Sequence, residues 1–222
     1  MINRVLCILL GYVCGLFQTG YLYGKLHGVD IRSKGSGNVG TTNSLRVLGK
    51  KAGAIVLAGD AGKTVAAILL AHLIFGTKEP GMDMILQLYA GLGATLGHNF
   101  PFYLHFKGGK GIAVLAGIYL ACGITCNWIP FCIGFVLFFA IFFVTHYVSV
   151  SSMTVSALFF GCVVVMERTR VIVTENMAGR IELTVLAAVI MIMAFVRHGE
   201  NIKRLMAGNE RKTYLGKKNK TD

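Results

Sequence analysis

The stretch 128-WIPFCIGFVLFFAIFFVTHYV-148 decides the fold class. It holds no Lys, Arg, Asp or Glu, and wound as a helix it is long enough to cross a bilayer, because about 20 residues cover the roughly 30 Å of hydrocarbon. Runs of spanning length recur near 3–26, 52–76, 83–101 and 182–199. Two shorter ones lie at 112–126 and 152–167, the second bounded by Ser149, Ser151 and Ser152 and by Glu167 and Arg168. These two are expected to be buried against neighbours or shortened by loops that dip into the membrane. With 55% hydrophobic and only 14% charged residues and a mean hydropathy of +0.64, the chain is too apolar for a single soluble core. The expected architecture is all-α: a polytopic membrane protein with about seven transmembrane helices. It reads as one domain over 1–222, with a basic tail from about 213. The opening Met1 to Gln18 lacks a small-x-small cleavage site before the first polar loop, so it reads as a retained span.

Lysine and arginine set the orientation, since only they count in the positive-inside rule. With the N-terminus outside and the C-terminus cytoplasmic, sixteen of them fall in the cytoplasmic segments 25–51, 102–111, 145–151 and 197–222. Only Arg4, Lys78, Arg168, Arg170 and Arg180 fall outside, with Lys63 inside a span. The same topology places three polar clusters on the cytoplasmic face: 33-SKGSGNVGTTNSLR-46, 98-HNFPFYLHFKGGKG-111 and 197-RHGENIKRLMAGNERK-212. A lipid-embedded chain has few places for so many polar side chains, so their grouping points to one site.

Anions fit the make-up of that site. Gly35, Gly37 and Gly40 let backbone N–H groups turn into one concavity, and Ser36, Asn38, Thr41, Thr42 and Asn43 add neutral donors. Arg46 offers a planar fork to phosphate or carboxylate oxygens. In 107-KGGKG-111, Lys107 and Lys110 flank Gly108 and Gly109, and Gly111 leads into an apolar helix whose N-terminal N–H groups favour negative charge. His198, Asn201 and Arg204 recur at helical spacing and share a face.

Plainer readings compete at several positions. A Gly/Ser/Asn loop is often only a turn, and the tail lysines Lys212, Lys217, Lys218 and Lys220 suit a solvated segment drawn to anionic headgroups. The stripe 135-FVLFFAIFF-143 suits lipid contact or core packing. His72 reads as a structural hydrogen-bonding residue and His27 as a loop residue. Asp60 and Lys63, three apart within a span, neutralise one another and help hold the first loop. The string 59-GDAGKT-64 resembles the end of a phosphate-binding loop, but position 57 is Leu57 where a glycine is needed, so no nucleotide site is assigned. The six cysteines have no C-x-x-C spacing and lie in or beside apolar runs, which suits buried small hydrophobes and implies neither a disulfide framework nor a metal site.

Taken together, the clusters resemble the bacterial acyl-phosphate:glycerol-3-phosphate acyltransferases of the PlsY type. The stretch 36-SGNVGTTNSLRVLGKKAG-53 is similar to that family's S-G-N-x-G-A-T-N-x-x-R segment, 97-GHNFPFYLHFKGGKG-111 to its G-H-x-F-P-x-x-x-x-F-K-G-G-K-G segment, and 197-RHGENIKRLMAGNERK-212 to its R-H-x-x-N-I-x-R-L-x-x-G-x-E segment. A shorter match, 147-YVSVSS-152, departs at the preceding position, where His146 stands for the usual arginine, and Thr41 stands where alanine is usual. The resemblance implies a seven-helix enzyme of the bacterial cytoplasmic membrane whose active site faces the cytosol. It would move an acyl group from acyl phosphate to sn-glycerol 3-phosphate, giving lysophosphatidic acid. By position, Ser36, Arg46, Lys107, Lys110, Ser149, His198 and Asn201 match the family's polar catalytic residues. Gly37, Asn38, Gly40, Thr42, Asn43, Gly108, Gly109, Gly111, Arg204 and Glu210 match its substrate-binding and loop-shaping positions, with Glu210 expected to brace the third segment against a basic side chain. No cofactor or metal is implied. The expected partners are the two small-molecule substrates and membrane lipid, with no nucleic acid, and the protein is expected to be a monomer.

None of the six histidines is followed by Asp in an H-x-x-x-x-D pattern, so a carboxylate-oriented histidine base is not expected. An acyl phosphate carries a good leaving group, which shifts the burden to positioning and charge neutralisation. The competing class is a transporter of an organophosphate anion or a lipid flippase. Transporters tend to show internal repeats and midplane polar groups, whereas here no repeat is evident and the clusters gather on one face. A non-catalytic scaffold would leave three donor-rich loops without a role.

Overall fold

The computed structural model describes residues 1–214, with only the backbone of Pro80, so the tail residues Lys217, Lys218 and Lys220 lie outside the described residues. Ten α-helices follow one another: α1 (Ile2–Gly15), α2 (Thr19–Leu26), α3 (Thr41–Leu48), α4 (Lys50–Ile74), α5 (Asp83–Asn99), α6 (Ile112–Thr125), α7 (Ile129–Thr145), α8 (Val148–Arg168), α9 (Met177–Arg197) and α10 (Gly199–Met206). Among the described residues there is no strand. Every apolar run read from the sequence becomes helical, the first as two helices.

Lengths depart from expectation in both directions. Four stretches are long and apolar enough to cross a membrane: Ile2–Leu26, Lys50–Lys78, Val148–Arg168 and Met177–Arg197. The runs 83–101 and 128–148 yield helices of only 17 residues, about 26 Å at 1.5 Å per residue. Pro101 disfavours helical backbone at Phe100 and stops α5, while left-handed backbone at His146 (φ 61°) ends α7. The sixth run goes the other way, because the serines expected to bound it are helical. The hydroxyls of Ser151, Ser152 and Ser156 donate to the carbonyls of Tyr147, Val148 and Ser152 one turn back. Each serine thereby satisfies itself inside the helix, and α8 gains its first turn.

Helix α5 is the hub, buried along nearly its whole length against α1, α4, α6 and α9. Its seam with α1 uses small residues on both sides. A Cβ added at Gly11 would lie 2.0 Å from the Ala90 carbonyl oxygen, and one at Gly93 or Gly97 would lie 2.2 Å from the carbonyls of Ile8 or Tyr12. Backbones this close gain dispersion contact that larger side chains would prevent, the usual route to tight helix pairing in lipid. The remaining core joins Ile68 of α4, Ile85 and Leu88 of α5, Ile118 of α6 and Leu183 and Ile190 of α9. Helix α7 stays at the margin, with Phe135 and Phe143 exposed, as a lipid-facing surface requires.

A charged cluster ties this hub to the break between α1 and α2. Asp60 and Lys63 pair at 2.9 Å, Thr19 donates to Asp60 at 3.0 Å, and Lys63 also reaches the Phe17 carbonyl and His98. Beside it, the buried Gln18 donates to the carbonyls of Gly15, Gly97 and His98. The break between α1 and α2 is thus satisfied by side chains, as backbone in lipid demands. His72 likewise pairs with Asp83 at 2.9 Å.

Candidate active site

The three polar clusters meet around one cavity of about 520 Å³. Its first wall is the loop leading into α3. Buried Asn43 closes that loop by donating to the carbonyls of Ile31 and Lys34, both at 3.1 Å, and accepting from the Ser36 amide at 2.8 Å. Asn38 accepts from the Gly40 amide at 2.9 Å. A Cβ at Gly20 would sit 1.8 Å from the Val39 carbonyl, so α2 must present a glycine for the loop to lie down. Ser36, Asn38, Gly40, Thr41, Thr42, Asn43 and Arg46 all line the cavity, whereas Gly37, with φ 72°, serves the turn and does not.

The second wall is the loop before α6, and here the structure separates residues that the sequence could not. Lys110 and Gly111 line the cavity, but Lys107 is exposed and does not. Gly108 and Gly109 spend their amides on the Asn99 and His98 carbonyls, at 3.1 and 3.0 Å, so of the two roles the resemblance implied for them these glycines fill the loop-shaping one. Their carbonyls accept from Arg197 at 3.0 and 2.9 Å. The reason for glycine is steric, since a Cβ at Gly109 would lie 2.0 Å from His98 Nε2 and one at Gly108 2.0 Å from the His98 carbonyl. Pinned flat against the end of α5, the loop turns through left-handed Gly111 (φ 81°) into α6 and presents Lys110 inward.

The third wall joins α8, α10 and the segment beyond it. Glu210 is its hub, accepting from Asn201 at 2.6 Å, Arg204 at 2.8 Å and Ser149 at 2.9 Å. Burial alone would raise its carboxyl, but these three donors together hold it below the ordinary range. Glu210 therefore braces the wall as an anion. Lys110 reaches across to the Asn201 amide oxygen. Burial, then the charge of Arg204, pushes the Lys110 ammonium down to about 8. Burial and nearby Arg211 also lower Arg46, which stays charged because a guanidinium holds its proton throughout the physiological range. His198 is buried and its Nδ1 lies 2.7 Å from the Ala194 carbonyl. A carbonyl only accepts, so Nδ1 carries the hydrogen and Nε2 is left to bind or accept at the cavity.

Several lining residues carry no role in the sequence reading: Lys50, His98, Arg211 and Thr213. Thr213 is 1% exposed and accepts from Arg46 Nη2 at 2.7 Å, although it lies where the solvated tail was expected to begin. No period or motif marks it. Leu57, Ile112, Phe138, Phe139 and Phe142 also line the cavity. Its lining is therefore amphiphilic, with cations from all three polar clusters and hydrocarbon-like side chains beside them.

Comparison with known proteins gives a consistent picture. The family model described as glycerol-3-phosphate acyltransferase matches residues 5–208. A glycerol-3-phosphate acyltransferase 2 of Lactobacillus johnsonii is 40% identical over 94% of this chain and 87% of its own. A glycerol-3-phosphate acyltransferase of Macrococcus caseolyticus is 37% identical over 96% and 98%. The crystal structure of PlsY, an integral membrane glycerol 3-phosphate acyltransferase in its glycerol 3-phosphate form, superposes with a TM-score of 0.79 at 33% identity, covering 95% of this chain and 96% of that one. Its lysophosphatidic acid form gives 0.77 at 32% identity, covering 96% of each.

Proposed function

This chain belongs to the glycerol-3-phosphate acyltransferase family and acts in phospholipid synthesis, and from that premise we propose that it acylates sn-glycerol 3-phosphate with acyl phosphate as the donor. The observation that carries the proposal is the mixed lining of the cavity, where Arg46 and Lys110 stand with Phe138, Phe139 and Phe142: the cations suit phosphate and the phenylalanines suit an acyl chain. An acyl phosphate is the donor that has both parts in one small molecule. Burying its chain draws on about 0.8 kcal/mol per CH₂, so lipid-like affinity does not depend on a large carrier.

In the proposed step the glycerol hydroxyl oxygen attacks the acyl carbonyl carbon. The carbonyl carbon to phosphate oxygen bond breaks, inorganic phosphate departs with the electron pair, and the hydroxyl proton passes to a phosphate oxygen. Arg46 and Lys110 neutralise charge on the two phosphates and on the developing oxyanion. Ser36, Ser149, Asn201 and His198 Nε2 orient the substrates, and Glu210 with Arg204 holds that wall in place. With the Nδ1 hydrogen on a backbone carbonyl, His198 lacks the carboxylate partner that would make it a strong base, which favours a binding role. The site faces the cytosol of the bacterial inner membrane in this proposal, supported by the excess of Lys and Arg at its end of the chain's loops.

The test is transfer of a labelled palmitoyl group to glycerol 3-phosphate by purified protein in lipid, with palmitoyl phosphate and palmitoyl-CoA run in parallel. Lysophosphatidic acid from the acyl phosphate alone is the expected outcome. Product from the thioester at an equal rate refutes the donor assignment, and no product from either, in folded protein, refutes the activity.

A further inference from the structure

We infer that the segment 209–214 is part of the active site and that Thr213 is a positioning residue that aims Arg46 at its phosphate. The inference rests on the reading of Arg46 as a phosphate ligand and adds a residue beyond the span that the family model matches, which ends at 208.

The segment is tied at both ends of a short strap. At one end Glu210 takes hydrogen bonds from Ser149, Asn201 and Arg204. At the other, the Thr213 amide donates to the His146 carbonyl at 2.9 Å, and the Tyr214 ring lies 4.6 Å from the His146 ring. Lys212, between them, sits over the Tyr147 ring at 5.6 Å. Thr213 is thereby fixed through its own backbone, and its hydroxyl meets Arg46 Nη2 at 2.7 Å.

A long arginine side chain otherwise loses much rotamer freedom on binding an anion. A hydroxyl that accepts from one guanidinium nitrogen holds the plane while leaving the other N–H groups of the fork for phosphate oxygens. Neutral Thr213 does this without supplying a competing charge. The anchor at His146 has left-handed backbone (φ 61°), and its carbonyl takes the Thr213 amide. This residue thus holds the strap, and the strap holds Arg46.

The experiment measures calorimetric binding of inorganic phosphate and of glycerol 3-phosphate, together with KM and kcat for both substrates, on full-length protein in lipid nanodiscs. Thr213→Val keeps the shape but removes the acceptor, so the KM or dissociation constant for the phosphate held by Arg46 is expected to rise roughly five- to twentyfold, with kcat retained. Thr213→Ser restores the wild-type value. Arg46→Ala weakens the same binding at least as much, and Arg46→Ala with Thr213→Val is no worse than Arg46→Ala alone, since residues acting as a unit are not additive. Unchanged or tighter binding in Thr213→Val overturns the inference, tighter binding being what a hydroxyl competing with phosphate would give. Thr213→Ser as impaired as Thr213→Val overturns it too, by showing a packing role. Normal phosphate binding by Arg46→Ala overturns instead the reading of Arg46 on which the inference stands.

Discussion

Raising the pH should uncouple phosphate binding from chemistry, and Lys110 sets where. Burial and the neighbouring Arg204 bring its ammonium down to about 8, so the free enzyme carries the charge below that pH and loses it above. The charged fraction is about nine-tenths at pH 7, half at pH 8 and one-tenth at pH 9, by simple titration. If only the charged form binds the phosphate-bearing substrate, KM for that substrate rises about tenfold between pH 7 and pH 9. A bound dianion stabilises the ammonium, so kcat at saturation moves much less. Substrate ionisation does not confound this range, because the second phosphate proton is lost near pH 6. The assay is initial-rate kinetics from pH 6.5 to 9.5 in lipid, with donor hydrolysis in enzyme-free controls subtracted. Lys110→Arg keeps its charge at every pH tested, so its profile is flat even if its KM is higher throughout. A flat wild-type profile, or the same loss in Lys110→Arg, refutes the assignment of Lys110 as the titrating phosphate ligand.

Three further outcomes are expected. Lys107→Ala leaves kcat/KM within about twofold, as for an exposed side chain away from a site, because Lys107 is exposed and does not line the cavity; a loss matching that of Lys110→Ala would return it to the site. Asp60→Asn leaves buried Lys63 without its counter-charge, and should lower stability by about 3–5 kcal/mol, read as a fall in the thermal midpoint in detergent; an unchanged midpoint would mean that the pair at 2.9 Å contributes nothing. Gly109→Ala drives a methyl to 2.0 Å from His98 Nε2, whereas Gly62→Ala meets nothing within 4 Å. The first should reduce turnover more than tenfold, a barrier change of about 1.4 kcal/mol, and the second should leave it unchanged; parity between them would show that the loop moves aside freely.

What could be read from sequence follows from where polarity is expensive. Arg46, Lys110, His198 and Asn201 stood out because a chain so apolar has little reason to keep such groups in or beside its spans. Asp60 and Lys63 stood out for the same reason, and the structure pairs them. The order of helices was legible because hydropathy records burial in lipid directly, but their ends were not. Of the serines that looked like a boundary, Ser151 and Ser152 instead close hydrogen bonds to their own helix and Ser149 turns to Glu210, and hydropathy does not distinguish a serine that faces solvent from one that faces its own carbonyls. Lys107 and Lys110 are equivalent in the string K-G-G-K-G. They part because Gly108 and Gly109, between them, bond the Asn99 and His98 carbonyls at the end of α5 and take Arg197, more than eighty residues away, on their own carbonyls. Thr213 is the limiting case. In a polar tail a threonine costs nothing whether it is used or idle, so its place on Arg46 leaves no trace in composition, period or charge. Where lipid makes every polar residue answerable, a sequence exposes its site; where the chain returns to water, the same chemistry becomes visible only through contacts.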